Sequence, residues 1–339
     1  MSEQKIFFDA AQLIRHIEKL SPRNIFIVHG KTFNRLSLAE SFKNFQAVHF
    51  TNFKPNPLFE SVEEGMKIFR ESNCDMIIAA GGGSAIDVAK CVKLYAAQSV
   101  PFIVVPTTAG TGSEATRFAV IYKNGEKQSI TDLCMIPDAI YFDAEPLRIL
   151  PPYQRKATLL DAYSHAAESY WSVNATEVSR AFAKEALRII VALQEKYFSG
   201  KTSDAENLSL LYASYLAGKA INISQTTAGH AMCYKLTGLF GISHGHAAAL
   251  CNAGLWQVMK SSDAVKELSE VIGEKTFQKI LIACELIYPL KDASDADFDS
   301  TLELLTHSVN PVRLKNFPVP LPEDVIRKIY RAILLGEVI

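Results

Sequence analysis

Asp161, His165, His230 and His244 are of the residue types that hold a divalent ion through oxygen and nitrogen. The stretch Asp161-Ala-Tyr-Ser-His165 lies in a helical pattern, so its carboxylate and imidazole sit at i and i+4 and share one face. A hydrogen bond would explain one such pair alone. His230 in a second helical stretch and His244 in the turn Ser243-His244-Gly245-His246 change that reading, because a fold can bring the two compact stretches face to face. One carboxylate with three imidazoles suits Fe²⁺ or Zn²⁺, and ligand softness does not separate them. An ion held this way polarises a carbonyl or alcohol oxygen. His246 reads either as a proton carrier behind the ligands or as an ordinary surface histidine.

Two glycine-bearing turns lie upstream. Gly81-Gly82-Gly83-Ser84 follows an apolar strand and precedes a helix beginning near Ala85, where backbone approaches a pyrophosphate closely and unpaired N–H groups face its charge. Ser84 with Asp87 also reads as a reciprocal helix cap. The run is neither a GxGxxG fingerprint, since Ile86 stands at the third glycine, nor a P-loop. A second turn, Pro106 to Glu114, carries the hydroxyls of Thr107, Thr108, Thr111 and Ser113 with Gly110 and Gly112, a set suited to phosphate and ribose oxygens. An acidic residue at the end of the first strand would hold a ribose 2′-hydroxyl and repel a 2′-phosphate. Gly30 leaves space there and Lys31 supplies positive charge, which favours NADP(H) over NAD(H), although Lys31 is equally readable as a solvated lysine.

The elements that must position these residues divide the chain. Strands are expected at Ile25 to His29, Ala47 to Thr51, Met76 to Ala80, Phe102 to Val105 and Ala139 to Phe142, alternating with helices such as Phe59 to Glu71 and Ala85 to Ala97. A hairpin is expected over Phe118 to Ser129, turning at Asn124-Gly125. After Pro151-Pro152 the apolar residues recur at helical spacing, through Ala157 to Trp171, Val178 to Phe198 and Leu208 to Asn222. The expectation is an α/β dinucleotide-binding domain over residues 1–150, followed by an all-α metal-binding domain over residues 151–339. Asp292 to Asp299 reads as a solvated acidic loop.

The 339 residues allow two cores. A net charge of -1 gives no global field for nucleic acid or anionic lipid, so neither is an expected partner. The six cysteines form no CxxC pair and read as buried, reduced thiols. No run approaches the length of a membrane span. The expectation is a soluble cytoplasmic protein, with a homodimer as its assembly.

The turn Gly81 to Lys90 (GGGSAIDVAK), the turn Pro106 to Glu114 (PTTAGTGSE), Asp161 to His165 (DAYSH) and the pair His230 and His244 together resemble the iron-dependent, or group III, alcohol dehydrogenase family. The resemblance implies the two-domain architecture shared with dehydroquinate synthase, and an NAD(P)-dependent oxidoreductase that interconverts an aldehyde and a primary alcohol. It implies that Asp161, His165, His230 and His244 are the metal ligands, that Gly82, Gly83, Ser84, Thr107, Thr108, Thr111 and Ser113 line the cofactor, and that Lys127 lies near the nicotinamide ribose. Gly30 replaces the acidic residue of strongly NAD-preferring members. Two departures stand out: Tyr234 occupies a position where many members have histidine, and the chain is short after Tyr95.

Within that family, His230 to His246 and Ser308 to Pro318 resemble phosphonoacetaldehyde reductases of phosphonate metabolism, which implies reduction of phosphonoacetaldehyde to 2-hydroxyethylphosphonate. Arg117 and Lys235 are the expected clamp for the anionic head, or else ordinary surface charges. The proton would arrive through Tyr234, the cofactor ribose or His246. Alternatives are a general short-chain or lactaldehyde-type dehydrogenase, a dehydroquinate synthase-like lyase, and a non-catalytic nucleotide-binding protein.

Overall fold

Runs rich in valine and isoleucine with no polar alternation demand burial on both faces, and the first half of the chain uses them in a parallel sheet. The structure is a computed structural model that describes residues 4–337. Its first elements are β1 (Lys5–Phe7), α1 (Ala10–Leu20), β2 (Ile25–His29), α2 (Ser37–Phe42), β3 (Ala47–Phe50), α3 (Phe59–Glu71), β4 (Met76–Gly81), α4 (Gly83–Ala96) and β5 (Phe102–Pro106). There follow β6 (Phe118–Lys123), β7 (Glu126–Thr131), β8 (Ala139–Tyr141) and α5 (Glu145–Arg148). Six strands pair in the order β1-β8-β5-β4-β2-β3, all parallel.

Residues alternate between two cores. Phe26, Val28, Ile77, Ala79 and Val104 enter one, and Ile25, Ile27, Ile78, Ile103 and Val105 enter the other. Strand β1 was not expected; three residues paired along one edge with β8 leave too short a pattern to read. Since β2 lies between β3 and β4, the chain direction across the sheet switches at β2 and β4, and Gly30 and Gly81 stand at their carboxyl ends. The hairpin β6–β7 turns at Asn124 and Gly125, both at positive φ (53° and 77°), as a two-residue turn requires.

The second half is built of α6 (Pro152–Trp171), α7 (Glu177–Phe198), α8 (Asp204–Ser224), α9 (Ala228–Phe240), α10 (His244–Val258), α11 (Asp263–Ile272), α12 (Phe277–Ala283), α13 (Phe298–His307), α14 (Pro311–Leu314) and α15 (Glu323–Leu335). Pro152 occupies the first turn of α6, where its missing N–H has no helical partner to lose. Every residue from Gly245 to Trp256 on α10 is buried, and its glycines and alanines let it press against α6 and α9. The chain divides into two compact units: one holds the chain up to Leu150 with Ser203–Tyr215, the other Pro151–Thr202 with the chain from Leu216. No helix is long and apolar enough to cross a membrane among the described residues. None of the six cysteines is in a disulfide, and only Cys134 is partly exposed.

Candidate functional site

Asp161, His165 and Glu168 fall at i, i+4 and i+7 on α6, so one buried face carries all three. One atom each from Asp161, His230 and His244 lies within 4.8 Å of the others. His165 falls outside this mutual group but against it: its Nε2 is 3.9 Å from Asp161 Oδ1, and its ring stacks on His230 with centroids 4.6 Å apart. His230 comes from α9. His244, expected in a turn, is instead the first residue of α10.

The buried atoms Asp161 Oδ1 and His230 Nε2 have no hydrogen-bond partner, although they are 3.6 Å apart. That spacing is too long for a hydrogen bond between them and suits two donors each about 2.0–2.2 Å from one shared ion. The residues present therefore fit a divalent metal.

The groups behind the ligands fix their protonation. His230 Nδ1 meets Glu168 Oε1 at 2.6 Å, which places a proton on Nδ1 and turns Nε2 toward Asp161, where a bound ion would take the place of the Nε2 proton. Glu168 also accepts from Asn252 Nδ2 at 2.8 Å, from Thr227 N at 2.6 Å and from Thr227 Oγ1 at 2.9 Å. Burial disfavours its charge, yet His230 and these donors hold the carboxyl at about 2. Burial likewise pushes His230 down, but Glu168 and Asp161 outweigh it and raise the imidazole to about 9. Asp161 is buried too, and the facing His165, His230 and His244 hold it far below the usual carboxylate range. Glu168 was missed in the sequence, although its i+7 spacing from Asp161 marks it. His244 Nδ1 approaches Cys233 Sγ at 3.5 Å.

Two glycines permit this assembly. A Cβ on Gly245 would come within 2.2 Å of Ala157 O and 2.6 Å of Asp161 Cβ, so only glycine lets α10 bring His244 to α6. A Cβ on Gly229 would lie 2.2 Å from Asn252 Oδ1, blocking the residue that braces Glu168.

His246 is not a surface histidine. It is fully buried, with Nε2 2.7 Å from Leu286 O and Nδ1 3.2 Å from the Tyr153 hydroxyl, and that hydroxyl accepts from Ser243 N at 2.9 Å. Both ring nitrogens thus serve to tie down the chain immediately before His244. Tyr234, half-buried, stacks parallel to His244 at 5.7 Å. Lys235, one residue on, is exposed.

In the first unit, Gly30, Thr32, Phe53, Gly81, Gly82, Gly83, Ser84 and Thr107 are among the residues lining an open cavity of about 230 Å³. Gly82, in extended conformation, is the N-cap of α4 and offers no side chain to its amides. The expected Ser84–Asp87 cap is absent: Ser84 lies inside the first turn, and buried Asp87 accepts from Ser113 Oγ at 2.9 Å and Val120 N at 3.1 Å. Ser113 is thereby committed to Asp87. Ala85 N and Ile86 N donate to Gly82 O, so the amides of Gly83 and Ser84 are the ones at this end of α4 that suit an anion. Thr108 and Thr111 pack over Gly82 and Gly83, where Cβ atoms would meet them at 3.5 and 2.9 Å. A Cβ on Gly30 would meet nothing within 4 Å. Lys31 is exposed beyond the lining, whereas Thr32 and Phe53, missed in the sequence, belong to it.

Lys127 is half-buried on β7, its charge acting on Asp87. The Arg117 guanidinium sits 4.8 Å from the ring centroid of its neighbour Phe118. Lys90, wholly buried, donates to Thr116 O at 2.7 Å, Thr116 Oγ1 at 3.1 Å and Phe118 O at 2.7 Å, so α4 pins the start of the hairpin below the second turn.

Comparison with known proteins follows the same division. Residues 4–144 match the family described as iron-containing alcohol dehydrogenase, and residues 156–324 match the C-terminal region of the Fe-containing alcohol dehydrogenase family. The chain is 27% identical to long-chain-alcohol dehydrogenase 1 of Geobacillus thermodenitrificans, with 97% of this chain and 94% of that protein aligned. An iron-containing alcohol dehydrogenase structure from Thermotoga maritima superposes with a TM-score of 0.85 at 28% identity, covering 98% of each chain. Sulfoacetaldehyde reductase from Bifidobacterium kashiwanohense, solved with NAD⁺, gives 0.88 at 26% identity, again over 98% of each. With both halves matched and the donor set built as described, the chain belongs to the iron-containing alcohol dehydrogenase family of aldehyde/alcohol oxidoreductases.

Proposed function

We propose that this protein reduces a short aldehyde bearing an anionic head to its primary alcohol, with phosphonoacetaldehyde reduced to 2-hydroxyethylphosphonate as the specific reaction. The reaction balances as aldehyde plus NAD(P)H plus H⁺ giving alcohol plus NAD(P)⁺. The observation that carries the redox reading is the pair of buried, unpartnered donors Asp161 Oδ1 and His230 Nε2 facing each other at 3.6 Å. Asp161, His165, His230 and His244 hold Fe²⁺ or Zn²⁺, which when bound supplies Lewis acidity to a carbonyl oxygen.

The remaining roles belong to the chain itself. Glu168 keeps His230 in the tautomer that binds. Gly82, Gly83, Ser84 and the threonines of the second turn receive the pyrophosphate of a nicotinamide cofactor, with Lys127 toward its ribose. The open space at Gly30 supports NADP(H) over NAD(H), since a 2′-phosphate meets neither bulk nor a carboxylate there. Tyr234, stacked against His244, passes the proton to the product oxygen; His246, with both nitrogens engaged, does not. Support for an anionic substrate comes from the likeness to sulfoacetaldehyde reductase, whose named substrate has the same two-carbon aldehyde carrying a sulfonate.

The test is oxidation of NADPH and NADH by the purified protein, loaded with Fe²⁺ or Zn²⁺, against phosphonoacetaldehyde, sulfoacetaldehyde, lactaldehyde and butanal. The expected order puts phosphonoacetaldehyde first with NADPH. A preference for butanal overturns the substrate assignment, and absence of turnover on every aldehyde overturns the redox reading.

A further inference from the structure

The second unit contains a cation that the sequence reading passed over. Arg313, on α14, is half-buried, and its guanidinium lies 5.8 Å from the centroid of the Tyr234 ring. The Tyr234 ring also stacks on His244, so Arg313 is separated from the His244 imidazole, proposed above as a metal ligand, by no more than those two ring contacts laid end to end. Arg313 Nη1 donates to Thr226 Oγ1. Among the described residues no carboxylate pairs with it.

The Arg313 side chain is anchored to the same turn as the metal centre. Thr226 holds Arg313 while its neighbour Thr227 binds Glu168 through both its amide and its hydroxyl. That turn is rigid. Gln225 is held at a positive φ of 62°, Trp171 Nε1 donates to Thr227 Oγ1 at 3.0 Å, and Asn316 Nδ2 donates to Thr226 O at 3.0 Å. Asn316 in turn is braced by Asn174 Nδ2 at 3.0 Å and accepts from Val173 N at 3.0 Å. A guanidinium is thus presented at fixed distance from the ligand set by hydrogen bonds that leave its charge uncompensated.

We propose that Arg313 is the anchor for the anionic head of the substrate. The charge balance points the same way: Asp161 and Glu168 together match a divalent ion, and the guanidinium remains as excess positive charge beside Tyr234. A phosphonate or sulfonate one carbon from the aldehyde neutralises that excess and accepts two parallel N–H bonds from the fork of the arginine. A neutral aldehyde leaves it unmatched. Arg117, 4.8 Å from the Phe118 ring centroid, and Lys235, exposed, are the other cations expected for this task.

The inference rests on the aldehyde-reductase reading, so the experiment separates the two. Ethylphosphonate, ethanesulfonate and 1-propanol are titrated calorimetrically into wild-type protein and R313Q, and turnover is compared on phosphonoacetaldehyde, sulfoacetaldehyde and propanal. R313Q is expected to weaken binding of both anions at least 10-fold and to lower the anionic-to-neutral ratio of kcat/KM by about 10- to 100-fold, mainly through KM. R313K, which keeps the charge but loses the fork, is expected to recover part of both losses, and it decides the matter should R313Q fail to fold. Unchanged anion affinity and an unchanged ratio in the folded variants overturn the role of Arg313. Turnover of no aldehyde by the wild type overturns the reductase reading instead, while the calorimetric comparison still scores Arg313. Phosphonate bound more tightly than sulfonate identifies the head group as a dianion.

Discussion

Glu168 Oε1 and His230 Nδ1 lie 2.6 Å apart, fully buried, and this contact decides which nitrogen of His230 faces Asp161. A carboxylate behind a metal-binding imidazole fixes its tautomer and raises its basicity. Glu168→Gln is expected to lower Zn²⁺ affinity by about 10- to 100-fold in a competitive chelator titration. An unchanged dissociation constant would show that His230 orients itself without the carboxylate.

Gly245→Ala places a methyl carbon against Ala157 O at a separation no packed structure tolerates. The helices must part, and the expected loss is about 1–3 kcal/mol of stability together with metal affinity. Thermal unfolding with and without Zn²⁺ reads both. A variant with full metal-induced stabilisation would mean that α10 does not need its contact with α6 to deliver His244.

Tyr234→Phe keeps the stacking on His244 and removes the hydroxyl. Its kcat is expected to fall roughly 100-fold with little change in KM. His246→Asn is expected to lower the melting temperature and leave the shape of the pH–rate profile intact, because His246 grips Leu286 and Tyr153 rather than a proton path. A profile that loses an ionisation in the His246 variant would reverse these roles.

Gly30→Asp meets no steric obstacle, since a Cβ there touches nothing within 4 Å. The carboxylate would repel a 2′-phosphate and accept from a 2′-hydroxyl. The ratio of kcat/KM for NADPH over NADH is expected to drop at least about 10-fold. A ratio indifferent to the substitution would move cofactor preference elsewhere on the pocket wall.

Glu114 is buried, and burial raises its carboxyl from 4.5 to about 7 against the opposing pull of Lys90. The folded value lies above the unfolded one, so this group's contribution to stability is fully present below pH 4.5 and is lost as pH rises through 7. The loss amounts to up to roughly 3 kcal/mol. Lys90, lowered by burial to about 8, acts with the opposite sign and in a higher window, losing its contribution as pH falls through 8. Glu114→Gln is therefore expected to gain in melting temperature over wild type as pH is raised from 5 to 7.5. A constant gap across that range would mean Glu114 is ionised throughout.

The parts of this molecule legible in its sequence are those governed by short periodicities. Ile25 to His29 reads as a buried strand because its first four residues are all apolar strand formers, and Asn124-Gly125 reads as a turn because few other pairs take two positive φ values. Asp161 and His165 were found by helical spacing. What escaped depends on contacts distant in the chain. Ser84 looks like a cap until Ser113, 26 residues away from Asp87, takes the carboxylate that would complete it. Glu168 looks like one more polar helix residue until Thr227 and Asn252 surround it. Arg313 sits in a four-residue helix with no periodicity, 87 residues from the threonine that holds it.

The glycine between His244 and His246 also bears on how such a protein can diverge. With Ala157, Asp161 and position 245 in van der Waals lock, the spacing of the ion's cage is inherited as a unit and cannot be adjusted one substitution at a time. Segment Pro311–Leu314 has no buried residue and answers to no such lock. Substitutions in this segment are thus expected to leave the packing of Gly245 against Ala157 and Asp161 undisturbed.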